Sequence, residues 1–272
     1  YMRAGLLDRA ENLFTDLVAM DALAPSALRH LIGIYQHERD WNKAIEHARQ
    51  LEKISDESQG AVIAQFYCEL AELARAQGEW DEALSMLEHA VEAEPECVRA
   101  SMIRGHIDAA CGDLDQAITA FERVAEQDID YVPEILAPLL DCYARAHQMQ
   151  RAEMFLVDIT ERYRGVSSVL ALARLYSGTK GEVAARELLN RMLRQRPSVR
   201  ALIALIDVNL NTATAETRAS FLLLRELTAQ LLEGQAMYRC NRCGFGAKAH
   251  HWQCPSCKNW GSVRPIHGVI GD

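Results

Sequence analysis

A chain of 272 residues, 49% of them hydrophobic, can bury a sizeable core and a small second module besides. Its formal net charge of −9 argues against a body that binds nucleic acid. The charge is uneven: residues 234–272 hold Arg239, Arg242, Lys248, Lys258 and Arg264 against Asp272 alone, so a basic tail follows an acidic body and is expected to dock on it. Of eight cysteines, Cys68, Cys97, Cys111 and Cys142 are scattered singly and read as small buried hydrophobes. Isolated thiols of this kind point to a reducing compartment, hence the cytosol. The sequence holds no apolar run of spanning length.

Residues 1–233 repeat themselves. Gly5-Leu-Leu-Asp-Arg-Ala10, Arg39-Asp-Trp-Asn-Lys-Ala44, Gly78-Glu-Trp-Asp-Glu-Ala83 and Gly112-Asp-Leu-Asp-Gln-Ala117 match closely, with fainter copies ending at Ala152 and Ala185. The alanines stand 34, 39, 34, 35 and 33 residues apart. A larger residue usually follows one turn later (Phe14, Leu87, Phe121, Leu156, Leu189), and Tyr1, Tyr35, Tyr143 and Tyr176 recur nine positions before. Pro25, Pro95 and Pro197 punctuate the ends. The pattern resembles the tetratricopeptide repeat. Each unit supplies two helices with an apolar stripe that one unit cannot cover, so units stack. Alanine lets two helix backbones approach closely. Asp8, Asn42, Asp81 and Asp115 favour a helix N-terminus there by capping or through the dipole.

In this phase Tyr1 falls inside a repeat, so the chain is expected to be a fragment whose first repeat is truncated. The long interval before Ala83 is expected to hold a lengthened loop at Ser55–Gly60. Ser198–Leu210 and Thr214–Leu232 are expected to form a degenerate seventh pair that caps the stack, with Ala219 and Leu223 in phase. The repeats thus occupy 1–233. Only three residues, Glu233-Gly234-Gln235, lead to a second module at 236–272, which is expected to pack against the last repeats. Tyr238, Phe245, Trp252 and Trp260 are candidates for that contact.

The tail carries Cys240-Asn-Arg-Cys243 and Cys254-Pro-Ser-Cys257. Each pair offers two thiolates from one tight turn, and two such turns can place four sulfurs around Zn²⁺ or a lone iron ion. So short a tail cannot fold on apolar burial alone, and a metal is the expected staple. Two disulfides are the alternative. Gly244 supplies a residue that tolerates positive φ after the first pair. His250 and His251 are spare ligands or docking residues. The expected fold class is mostly α: a right-handed tetratricopeptide-repeat solenoid with a small C-terminal β module of rubredoxin-like or zinc-ribbon type.

No phosphate loop, nucleophile elbow or HExxH motif is present, so the chain reads as a binding protein and not an enzyme. The inward face of the first helices should present Arg29, His37, Glu72, Arg75, His106, Asp141 and Arg174 to a protein partner, with Met102 and Leu170 as apolar anchors.

Repeats joined directly to Cys-Asn-Arg-Cys-Gly-Phe and Trp-Gln-Cys-Pro-Ser-Cys resemble the lipopolysaccharide assembly protein B family of Gram-negative bacteria, over the whole chain. The resemblance implies repeats on the cytoplasmic side of the inner membrane, held by an N-terminal helix that would precede this chain. It implies an adaptor that restrains lipopolysaccharide synthesis. Its partners would be a membrane-bound AAA+ protease, the deacetylase that commits carbon to lipid A, and lipopolysaccharide assembly or transport proteins. It implies a rubredoxin-like module with Cys240, Cys243, Cys254 and Cys257 as ligands of one iron or zinc ion. The gap between the pairs is shorter than in rubredoxins, and Lys258 replaces a glycine; both weaken a case for electron transfer. The alternative functions are a redox or iron-sensing protein, or a zinc ribbon that binds nucleic acid.

Overall fold

Each of the six motif alanines falls on the fourth residue of a helix in the computed structural model, which describes residues 7–20 and 24–272. Ala44, Ala83, Ala117, Ala152 and Ala185 are fully buried and Ala10 nearly so, because each sits where two helix backbones approach. A larger side chain there would overpack the crossing at about 1–3 kcal/mol. One turn on, Leu87, Phe121, Leu156 and Leu189 are buried beside them. Tyr1, Gly5 and the truncated start of the first repeat lie outside the described residues, as does the side chain of Asp8.

Two compact units divide the chain, Tyr1–Cys111 and Gly112–Asp272. In the first, α1 (Leu7–Val18), α2 (Ala24–Glu38), α3 (Trp41–Ile54), α4 (Gly60–Gln77), α5 (Trp80–Ala93) and α6 (Val98–Cys111) each pack against the next, and α4 also touches α6. In the second, α7 (Leu114–Gln127) and a 3-10 turn at Ile129–Tyr131 precede α8 (Val132–Arg145), α9 (Met149–Arg162), α10 (Ser167–Thr179), α11 (Glu182–Gln195), α12 (Val199–Thr212) and α13 (Ala215–Gln230). Consecutive helices again pair, and α8, α10 and α12 also pack side by side. Strands β1 (Tyr238–Cys240), β2 (Gly246–Ala247) and β3 (Val263–Pro265) close the second unit. The fold class is therefore the expected one: mostly α, helix pairs of tetratricopeptide-repeat type, with a small β module at the C-terminal end.

Four expectations need correction. The extra residues before Ala83 lie mostly in a helix, since α4 has 18 residues where α6 has 14, and the loop at 55–59 is short. Asn42 is not a cap: Asp40 precedes α3 and accepts from the Lys43 N–H at 3.2 Å. Asp81 and Asp115 sit inside the first turn, where they act on the helix dipole. Cys111 is exposed, whereas Cys68, Cys97 and Cys142 are buried as expected. Finally, α13 does not cap the stack with a polar face. Ala219 is exposed, and Leu222, Leu223, Leu224, Leu227 and Leu231 are each about half exposed.

The turn from first to second helix recurs with the same backbone. Arg39, Gly78, Gly112 and His147 stand five residues before their alanines and have φ of 60°, 81°, 91° and 57°. Two of the four repeats thus hold a side chain in the left-handed region that favours glycine.

Candidate metal centre

In the tail, β1 runs antiparallel between β2 and β3. Tyr238 faces Ala247 and Pro265, Arg239 faces Gly246 and Arg264, and Cys240 faces Val263. Strands this short do not hold a sheet by themselves. The buried core they enclose is Cys240, Cys254 and Val263, with Tyr238 and Phe245 packed against it. The sulfurs are thus the centre of the module.

Each CxxC pair folds into the same turn. Gly244 N–H donates to the Cys240 carbonyl at 2.9 Å, and Cys240 N–H to the Phe245 carbonyl at 2.8 Å. In the second turn Lys258 N–H donates to the Cys254 carbonyl and Cys254 N–H to the Asn259 carbonyl, both at 2.9 Å. The residue after each pair must take positive φ, and Gly244 and Lys258 do so at 78° and 60°. All four Sγ atoms lie within 4.8 Å of one another. Cys240 to Cys257 and Cys243 to Cys254 are both 3.7 Å. Disulfide sulfurs would stand about 2.05 Å apart. Sulfurs about 2.3 Å from a central ion stand about 3.8 Å from each other along the edges of a tetrahedron. The set therefore suits one metal ion and not two disulfides.

The surroundings of the sulfurs differ. Ser262, whose Oγ is 3.3 Å from the Cys240 sulfur, is the main cause that brings the Cys240 thiol down to about 6; the N–H groups of Cys243 and Arg242 add to it. Cys257 is lowered by the backbone N–H of Asn259 and then by its side-chain amide. Burial pushes Cys254 up to about 11. A bound cation overrides this spread and holds all four as thiolates. Both Zn²⁺ and iron accept that donor set.

The module is seated on the last repeats of the second unit, as expected. It settles on residues 128–134, 163–167 and 196–200, which cluster at the N-terminal ends of α8, α10 and α12. Helix N-termini offer N–H groups that lack intrahelical partners, and the tail supplies acceptors. Asp272 is buried and accepts from Ser167 N–H at 3.0 Å and from the hydroxyls of Ser167 and Tyr163. The Val269 carbonyl accepts from Val199 N–H at 2.8 Å. Trp252 stacks on Tyr131 with ring centroids 5.0 Å apart, and the Arg264 guanidinium covers the same ring at 4.7 Å while pairing with Asp128. Tyr238 donates to Glu134. His250 stands edge-on to Tyr131, Tyr238 and Trp252, so it is a docking residue. Phe245 stays within the module's own core.

The seven expected partner-binding residues all lie on first helices. Glu72 pairs with Arg75 at 2.6 Å, and burial, then Arg75, lower the pKa of the His106 imidazole against the opposing Glu72. Arg29 pairs with Glu57 and Asp141 with Arg145. His37 and Arg174 are exposed, and Arg174 lines a cleft with Arg200. Met102 is buried in helix packing, whereas Leu170 lines that cleft. Sequence reasoning missed Asp128, Tyr131, Glu134, Tyr163, Ser167 and Asp272. Nothing in their local pattern sets them apart from loop residues.

Comparison with known proteins agrees with this architecture. A family model described as rubredoxin metal binding domain matches residues 238–265, and tetratricopeptide repeat models match residues 23–95 and 68–132. Lipopolysaccharide assembly protein B of Escherichia coli K12 is 34% identical over 272 residues, all of this chain and 70% of that protein. The protein of the same name from Haemophilus influenzae is 33% identical over 267 residues, covering 98% of this chain and 67% of that one. Among solved structures, Pseudomonas aeruginosa pilF aligns at 18% identity and a TM-score of 0.43, over 76% of this chain and 93% of that one.

Proposed function

Because the chain belongs to the lipopolysaccharide assembly protein B family, we propose that it is a non-enzymatic adaptor in the control of lipopolysaccharide synthesis. It acts at the cytoplasmic face of the inner membrane. No helix among the described residues is long and apolar enough to cross a membrane; we place the anchor in sequence N-terminal to this chain. Residues 1–233 form the repeat array and 236–272 the metal module, in which Cys240, Cys243, Cys254 and Cys257 hold one ion. The array brings the deacetylase that commits carbon to lipid A to a membrane-bound AAA+ protease.

One observation carries this reading. The four-cysteine module is spent on shape: its sulfurs form its core, and its aromatic and acidic residues seat it on three helix N-termini. An ion used this way builds a surface for other proteins. The test is crosslinking of the membrane-anchored full-length protein in cells, followed by mass spectrometry. The protease and the deacetylase should both be captured, and recovery of neither would overturn the proposal.

The N–H groups directed at Cys240, Cys254 and Cys257 favour a second reading, an iron centre that changes redox state. A reversible visible-absorption change on reduction would establish it, and a colourless zinc protein would end it.

A further inference from the structure

Within the second unit, α8, α10 and α12 border a cleft of about 520 Å³. Its walls are apolar, with Leu136 and Leu140 from α8 and Leu170 and Leu175 from α10. Its charged lining residues are two arginines, Arg174 and Arg200, and no acidic residue lines it. That volume lies within the roughly 300–1,000 Å³ of ordinary ligand sites.

Neither arginine has a carboxylate. Arg174 is exposed and makes no ion pair or hydrogen bond among the described residues. Arg200 is half-buried; one terminal nitrogen meets the Met237 sulfur at 2.6 Å, and its Nε is buried without a hydrogen-bond partner. A thioether is a weak acceptor. Arg145, Arg151, Arg162, Arg225 and Arg264 of the same unit each hold an acid, and Arg200 differs from these in having a buried Nε with no hydrogen-bond partner. A half-buried guanidinium facing an apolar cleft without its anion is a vacancy for one.

We propose that this cleft binds an acidic segment of a partner protein. A carboxylate lies between Arg174 and Arg200, and a neighbouring leucine or isoleucine side chain packs on Leu136, Leu140 and Leu170. This rests on the adaptor reading and names its ligand chemistry. Two arginines in an apolar cleft suit a short peptide better than a membrane surface, which would call for a broad basic patch.

The test uses the full metal-loaded chain and a fluorescein-labelled peptide, Gly-Ser-Leu-Asp-Leu-Glu-Ser-Gly, read by anisotropy. A second peptide carries Asn and Gln in place of the two acids. The acidic peptide should bind at least tenfold more tightly than the amide one, and Arg174→Glu should weaken it at least tenfold. Arg174 is exposed, so the variant should keep its circular dichroism spectrum. No binding of the acidic peptide, equal binding of both peptides, or binding untouched by Arg174→Glu overturns the proposal. Sedimentation with phosphatidylglycerol vesicles that Arg174→Glu abolishes, with no peptide binding, also overturns it, in favour of lipid. A photocrosslinker at Ala137, an exposed lining residue, is compared with one at His37 in the first unit. The deacetylase or protease captured at Ala137 supports the cleft. Capture at His37 alone removes the cleft but leaves the adaptor reading, and capture at neither removes both.

Discussion

Asp272→Ala should loosen the tail without emptying the metal site. The carboxylate is 6% exposed and takes three donors, Ser167 N–H and the hydroxyls of Ser167 and Tyr163. Tyr163 is 1% exposed. Without Asp272 its hydroxyl is left buried and unpaired, at about 1–3 kcal/mol. Ser167 opens α10, and loss of an acceptor at a helix start costs about 1 kcal/mol. The Ser167 hydroxyl can turn to water and adds little. The total, about 2–4 kcal/mol, corresponds to a roughly 30- to 700-fold rise in transient opening of the tail. Hydrogen exchange read by mass spectrometry should show it in residues 263–272 and 166–170, while metal content stays at that of the wild type. Unchanged exchange in both segments, or metal lost along with protection, would refute the reasoning. Gly165→Ala attacks the same seam from the other side, because a Cβ there would stand 2.2 Å from the Asp272 carboxylate. The two changes share a partner, so the double variant should cost less than the sum of the singles.

Three further outcomes are expected. Cys254→Ser should lose the ion and the module's fold together, since Cys254 is fully buried at its centre; metal analysis and circular dichroism of the variant check this, and a folded metal-free tail would contradict it. Lys258→Gly relieves a side chain held at φ 60°. The relief of about 1–2 kcal/mol, less about 0.5–1 kcal/mol for glycine's freedom in the unfolded chain, leaves a gain of up to about 1.5 kcal/mol, read as greater resistance to a chelator. Glu134→Gln concerns pH. Burial raises the Glu134 carboxyl above its ordinary range, against the opposing bond from Tyr238. The folded protein then binds that proton more readily than the unfolded chain, and the wild type loses stability as pH rises from the ordinary carboxylate value through the raised one. Glutamine still accepts from Tyr238 and carries no such loss. The variant should melt higher than the wild type at neutral pH, and the difference should vanish below about pH 4. Equal melting at pH 7 would contradict it.

Much of this molecule could be read from spacing. An alanine recurring at about 34 residues reports a backbone crossing between neighbouring helices, and every such alanine with a described side chain is buried. Two CxxC turns report four sulfurs that must converge, and they do, within 4.8 Å of one another. The family's cysteine module was legible for the same reason. Where spacing was overread, the errors are local: a helix lengthened where a loop was expected, and a last helix that keeps the repeat's phase yet exposes its leucines.

That the metal module rests on the last repeats was legible, but the residues that receive it there were not. Asp272 meets Ser167 across 105 positions and Arg264 meets Asp128 across 136, and neither pair leaves a mark on its own stretch of sequence. Repetition writes itself into a chain because each unit needs the same neighbour. A contact made once, between a tail and the N-terminal ends of three helices, requires no repeated residue and so follows no rule of spacing. The chain by itself determined the helices, their crossings and the thiolate turns. Only the folded second unit decided where those turns rest and that Arg174 and Arg200 line one cleft with no acid between them.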